Sequence, residues 1–140
     1  MKVFIDTGAF CSIVNKKDQW HQESANTLQS LVKDKAIFYT SNFILSETYT
    51  LIRLRVGYAS AVKFMAEFEF SNIKVFHLSQ DIEDRAKMIF KQYKDKTFSF
   101  VDCTSFVLID AHGLDHAFTL DSHFFQYHFK NHVTILPVKS

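Results

Sequence analysis

Residues 1–10, MKVFIDTGAF, decide the reading of this 140-residue chain. Val3-Phe4-Ile5 is a short unbroken apolar run, the mark of a strand buried on both faces. Asp6 closes the run, and Thr7-Gly8-Ala9-Phe10 turns directly into an apolar helical pattern. A carboxylate thus stands where a strand ends and a helix begins. Open α/β sheets bind their ligands outside the carboxyl ends of the strands. The rest of the chain is therefore read for further acids delivered to the same edge.

Outward from that stretch, apolar runs predict strands over 3–5, 36–39, 73–77, 116–120 and 133–136. Helical patterns fall between them, over 8–14, 19–32, 59–70 and 122–129, and in three longer segments that carry caps. Ser41 or Asn42 caps a helix reaching 56, Ser79 one reaching 93, and Ser99 one reaching 112. Gly57 and Gly113 suit the helix ends that precede them. Strands alternating with helices imply a parallel sheet covered on both faces, joined by right-handed crossovers. The pattern leaves the strand order open. No repeat, linker or low-complexity segment interrupts residues 1–140, which read as a single domain.

Composition excludes several classes. No apolar run reaches the roughly 18 residues of a membrane span, and the start of the chain enters strand-like sequence without a secretory pattern. The expectation is a cytoplasmic protein with no membrane partner. Cys11 and Cys103 are expected to be free thiols. A formal net charge of +1 neither demands nor forbids a nucleic-acid partner. Sixteen Phe residues predict an aromatic core.

Four acids stand out. Asp6 follows the first strand and Asp121 the fourth. Glu47 has Phe43, Ile44 and Leu51 at helical spacing, with Leu54 a turn further, and Asp102 has Phe98, Phe106 and Ile109. Both therefore read as lying on apolar stripes. Capping is the alternative for Asp6, Asp121 and Asp102, the last completing a Ser99-x-x-Asp102 pattern. An exposed edge position is the alternative for Glu47. A buried carboxylate without a partner is costly, and a divalent cation shared among several resolves the cost. An all-oxygen donor set points to Mg²⁺ or Mn²⁺ rather than zinc. The histidines at 112, 116, 123 and 128 show no zinc-type spacing.

The stretches V-F-I-D-T-G-A-F, S-E-T-Y, S-F-V-D-C-T-S-F and T-L-D-S-H-F, in that order, resemble the PIN-domain nucleases, and among them the single-domain VapC-type ribonuclease toxins. The resemblance covers essentially the whole chain. It implies a three-layer α/β/α fold with five parallel strands in the order 3-2-1-4-5. It also implies an acidic pocket binding Mg²⁺ or Mn²⁺ and hydrolysis of RNA phosphodiester bonds to 5′-phosphate and 3′-hydroxyl ends. The family acids fall on Asp6, Glu47, Asp102 and Asp121, as catalytic residues and metal ligands. Thr7 and Ser99 are auxiliary candidates. Thr7 matches a hydroxyl position that orients water or Asp6, or else simply starts the helix. Asp18 and His21 match a recurring D-x-x-H feature without an assignable task. Family toxins pair with an antitoxin and form homodimers, with helices 42–56 and 59–70 the candidates for such contacts and core packing the alternative for most of their residues.

A negative pocket needs basic flanks to hold a phosphate backbone. Lys16, Lys17, Arg53 and Arg55 are the candidates, and the run from Arg85 to Lys96 reads more simply as a solvated helix face. Other classes fit less well. A phospho-accepting receiver needs an acidic pair after the first strand and a Lys just before a late Pro, where Leu136 stands. A haloacid-dehalogenase-type phosphatase needs Asp two residues after Asp6, where Gly8 stands. The alternative within the fold is a PIN-like nucleic-acid-binding or RNA-processing protein without an antitoxin.

Overall fold

The computed structural model describes residues 1–138. Its elements follow the chain as β1 (Lys2–Ile5), α1 (Thr7–Val14), α2 (His21–Lys33), β2 (Ile37–Ser41), α3 (Asn42–Arg55) and α4 (Tyr58–Glu69). The second half supplies β3 (Lys74–Phe76), α5 (Gln80–Gln92), α6 (Phe100–Ala111), β4 (His116–Phe118), α7 (His123–Gln126) and β5 (Thr134–Leu136). The five strands form one sheet in the order β3-β2-β1-β4-β5, all parallel. This is the expected α/β architecture with the expected order.

β1 lies at the centre because Val3, Phe4 and Ile5 can be covered on both faces, and all three are buried. It pairs Val3 with Phe38 on one side and with His116 on the other. The chain walks outward from β1 through β2 to β3, then crosses back to β4 and β5. With right-handed crossovers, that reversal puts the helices of the first two connections on one face and those of the later ones on the other. The contacts agree: α1 packs on α2 and α3, and α3 on α4, whereas α5 packs on α6. The reversal also splays the loops after β1 and β4 apart and opens a crevice between them.

Caps follow local chemistry. The Ser41 and Ser79 hydroxyls accept the N–H groups of Ile44 and Ile82 at the starts of α3 and α5. Gly57 and Gly113 take positive φ angles of 140° and 62° beyond α3 and α6. The aromatic core centres on Phe106, packed against Phe98, Phe124, Tyr127 and Phe129. Both cysteines are free and buried. Among the described residues no helix is long and apolar enough to cross a membrane.

Several boundaries shift: β2 runs on to Ser41 rather than 39, and β4 ends at Phe118 rather than 120. α2 begins at His21 rather than at 19, because the Asp18 carboxylate accepts the Trp20 N–H and holds a turn there. α7 is a single turn ending at Gln126, since Tyr127 goes extended to reach the aromatic core.

Candidate active site

β1 delivers Asp6 to the crevice, and the turn after β4 delivers Thr119 and Asp121 beside it. The Asp6 N–H continues the ladder to the Phe118 carbonyl at 2.9 Å, which ties the two strand ends together. The Thr119 hydroxyl then donates to Asp6 Oδ2 at 2.7 Å and accepts the Asp121 N–H at 3.0 Å. Asp6 holds the N-cap position of α1, but its side chain makes no capping bond to the helix.

Asp102 arrives on the first turn of α6 and does two things at once. Its Oδ2 accepts the Ser99 N–H at 3.1 Å while the Ser99 hydroxyl accepts the Asp102 N–H at 3.0 Å, a complete capping box. The same Oδ2 meets His123 Nδ1 at 2.8 Å, and that nitrogen lies 3.2 Å from Asp121 Oδ1. Asp121 in turn accepts the His123 N–H at 2.9 Å. Ser99 thus serves as the cap that seats Asp102.

The electrostatics are those of crowded acids out of water. Asp6 and Asp102 are 7% and 6% exposed. Burial pushes Asp6 up to about 7, with the Asp102 and Asp121 charges adding and the Thr119 hydrogen bond opposing. Burial, then the Asp121 charge, also raises Asp102, against the His123 and Ser99 bonds. Among the described residues the ion pairs of Asp102 and Asp121 are with His123 alone. Thr7 Oγ1, next to Asp6, is buried without a hydrogen-bond partner. Excess negative charge, no Lys or Arg to offset it and an orphaned hydroxyl together fit a divalent cation at this place.

Glu47 is a correction. It is exposed, not buried on an apolar stripe. The buried line of α3 is Ile44, Thr48 and Ile52, and Thr48 satisfies its hydroxyl on the Ile44 carbonyl at 2.7 Å. Glu47 sits one step round the helix, where it lines a shallow cleft with Phe43, Ser46, Thr50, Leu51 and Val101. Val101, the residue before Asp102, lines the same cleft, and Glu47 is not one of the residues whose ligand atoms cluster at Asp102, Asp121 and His123. Leu54, read as part of the same stripe, is 75% exposed.

The basic candidates divide. Lys16, Lys17 and Arg55 line one cleft of about 530 Å³, together with Lys63, which the sequence reading missed. Arg53 turns away and lies over the Tyr58 ring at 5.3 Å. Asp18 and His21 act locally: His21 Nδ1 meets the Ser12 carbonyl at 2.9 Å near the end of α1. Thr119 and His123 were also missed as site residues. Their visible signal was their place in the T-L-D-S-H-F stretch, two residues either side of Asp121.

The family model described as "PIN domain" matches residues 3–130. The "23S rRNA-specific endonuclease VapC20" of Mycobacterium tuberculosis is 31% identical over 123 residues, 87% of this chain and 91% of that protein. A "VapC ribonuclease" of Archaeoglobus fulgidus is 30% identical over 113 residues, 79% of this chain and 71% of that protein. The crystal structure of the Mycobacterium tuberculosis protein, described as a sarcin-ricin loop cleaving toxin, superposes with a TM-score of 0.81 at 30% identity, covering 91% of this chain and 95% of that one. VapBC2 from Rickettsia felis shares the fold at a TM-score of 0.70 and 15% identity, covering 96% and 97% of the two chains.

Proposed function

We propose that this chain, which belongs to the PIN-domain family, is a metal-dependent endoribonuclease and the toxin of a toxin–antitoxin pair. The observation that carries the reading is the meeting of Asp6, Asp102 and Asp121 at the crevice between β1 and β4, buried or half-buried and without a Lys or Arg partner. Asp6, Asp102 and Asp121 would hold Mg²⁺ or Mn²⁺, with the exposed Glu47 contributing through water. Bound there, the cation supplies an activated water and offsets charge on the scissile phosphate. The protein's own part is placement. Thr119 fixes the Asp6 carboxylate, the capping box fixes Asp102, and the β4 turn fixes Asp121. Thr7, with its free hydroxyl beside Asp6, is in reach to orient a water. Cleavage would leave 5′-phosphate and 3′-hydroxyl ends.

The M. tuberculosis relative makes a ribosomal RNA stem-loop the first substrate to test. Labelled ribosomal stem-loop, transfer RNA and unstructured RNA are expected to show cleavage of at least one when Mn²⁺ or Mg²⁺ is titrated in, and none in EDTA. Cleavage unaffected by EDTA would remove the metal from the reading.

Lys16, Lys17, Arg55 and Lys63 share one cleft beyond the C-terminal ends of α1 and α3, and the phosphate backbone is assigned to it. Reversing Lys16 and Lys17 to Glu is expected to weaken RNA binding and to flatten its salt dependence by roughly 0.7 per lost phosphate contact on a log–log plot for single strands. An unchanged slope would move the RNA to another face.

Leu54 and Tyr58, 75% and 63% exposed, and Phe70, 90% exposed, leave the α3–α4 side apolar toward solvent. An antitoxin segment and a second copy of this chain are the partners proposed for that side.

A further inference from the structure

His123 stands inside the acidic site, and no carboxylate-only description uses it. Its Nδ1 is 2.8 Å from Asp102 Oδ2 and 3.2 Å from Asp121 Oδ1. One ligand atom from each of these three residues falls within 4.8 Å of the others. An octahedral ion with bonds of about 2.1 Å spaces neighbouring ligand atoms about 3 Å apart. The two distances at Nδ1 match that spacing. The ring is aimed by contacts outside the acid set: Phe98 packs edge-on at 5.5 Å, and Thr97 Oγ1 meets Nε2 at 3.0 Å.

Thr97 leaves the ring free to present either nitrogen. A hydroxyl can donate or accept. With the proton on Nδ1, the ring donates to the two carboxylates and Nε2 accepts from Thr97. With the proton on Nε2, the ring donates to Thr97 and the Nδ1 lone pair faces Asp102 and Asp121. A carboxylate or carbonyl at Nε2 would have locked one tautomer, whereas Thr97 supports both. In passing between them the ring gives a proton to water from Nδ1 and takes one at Nε2, so its charge is unchanged.

We propose that His123 is a nitrogen ligand of the divalent ion, joining Asp6, Asp102 and Asp121 in a mixed oxygen–nitrogen set that favours Mn²⁺ over Mg²⁺. The proposal rests on the metal-dependent reading above. Mg²⁺ keeps to oxygen donors, whereas imidazole adds affinity for first-row transition ions. The rival role for His123 is positioning alone, as a permanent Nδ1–H donor to both acids.

The test uses Mn²⁺ electron spin-echo spectroscopy on the full chain labelled with ¹⁵N-histidine, beside calorimetric titration with Mn²⁺ and Mg²⁺. A ¹⁵N coupling to bound Mn²⁺ is expected in the wild type and absent in His123→Asn. That variant keeps an N–H donor near the Nδ1 position but has no imidazole. It is expected to lose roughly tenfold or more in Mn²⁺ affinity and much less in Mg²⁺ affinity. Thr97→Val, which alters no acid, should weaken Mn²⁺ in the same direction by less. Mn²⁺ bound without nitrogen coupling, or His123→Asn retaining the Mn²⁺ preference, would overturn the ligand role and leave the metal reading standing. No Mn²⁺ binding to the wild type would overturn both.

Discussion

Asp102→Asn is expected to cut RNA cleavage roughly 100-fold or more and to leave the fold in place. The magnitude follows from comparison. Removing a group that only supports a metal ligand typically lowers affinity or activity roughly 10- to 100-fold, and in the proposed site Asp102 would be a ligand itself. The fold should survive because the substitution is isosteric. An amide oxygen can still accept the Ser99 N–H, so the capping box keeps one of its two bonds by design and the other untouched at the Ser99 hydroxyl. Asp102→Ala would confuse the two effects, since losing a cap acceptor costs about 1 kcal/mol at a helix start. The same substitution should lower the Asp6 pKa, because the Asp102 charge is one of the causes that raise it. Cleavage assays in saturating Mn²⁺, circular dichroism and carboxyl NMR of Asp6 read the three effects separately. Undiminished cleavage by a folded Asp102→Asn protein would exclude Asp102 from the chemistry.

The contrast between Asp102 and Glu47 shows what the sequence could and could not reveal. Each acid had large apolar residues at helical spacing, and the same argument put both in the interior. It held for Asp102 because Phe98, Phe106 and Ile109 are all buried around it. It failed for Glu47 because the true interior face of α3 contains Thr48, a polar residue that hides its hydroxyl on the Ile44 carbonyl. A threonine satisfied by its own helix is invisible to a hydropathy pattern. The alternation of strands and helices was legible from residues alone, as were the Ser79 and Ser99 caps, while the cap of α3 was left between Ser41 and Asn42. The strand order came only from the family resemblance. His123 was out of reach for a different reason. Its meaning depends on α6 meeting the end of β4, and Asp102 lies 21 positions away along the chain. The same holds for Lys63, which joins Lys16, Lys17 and Arg55 only once α4 has packed on α3. Periodicity reports on one element at a time, whereas a site between elements is a property of their packing.

Asp6→Asn should make the metal-free protein more stable at pH 8 and change it little near pH 4. The Asp6 pKa rises from 3.8 to about 7 on folding, chiefly through burial. Below the lower value both the folded and unfolded chains hold the proton, and Asp6 contributes nothing to the pH dependence. Between about 4 and 7 the folded chain keeps a proton that the unfolded chain has lost, so stability falls as pH rises. Above about 7 both are ionised, and the full cost of a buried charge remains. Three units at 1.36 kcal/mol each set a ceiling of about 4 kcal/mol on that cost. The amide carries no such penalty and can still accept the Thr119 hydroxyl. A divalent cation acts in the opposite sense to the pH effect: binding only the folded chain, it would add about 2.7 kcal/mol at a hundredfold excess over its Kd. Urea unfolding at pH 4, 6 and 8, in EDTA and in Mn²⁺, distinguishes these effects. The wild type in EDTA should weaken across the series more than Asp6→Asn does, and Mn²⁺ should recover most of the loss for the wild type and little for the variant. Parallel pH profiles for the two proteins in EDTA would mean that Asp6 ionises without cost, and the central reason for placing a cation between β1 and β4 would be gone.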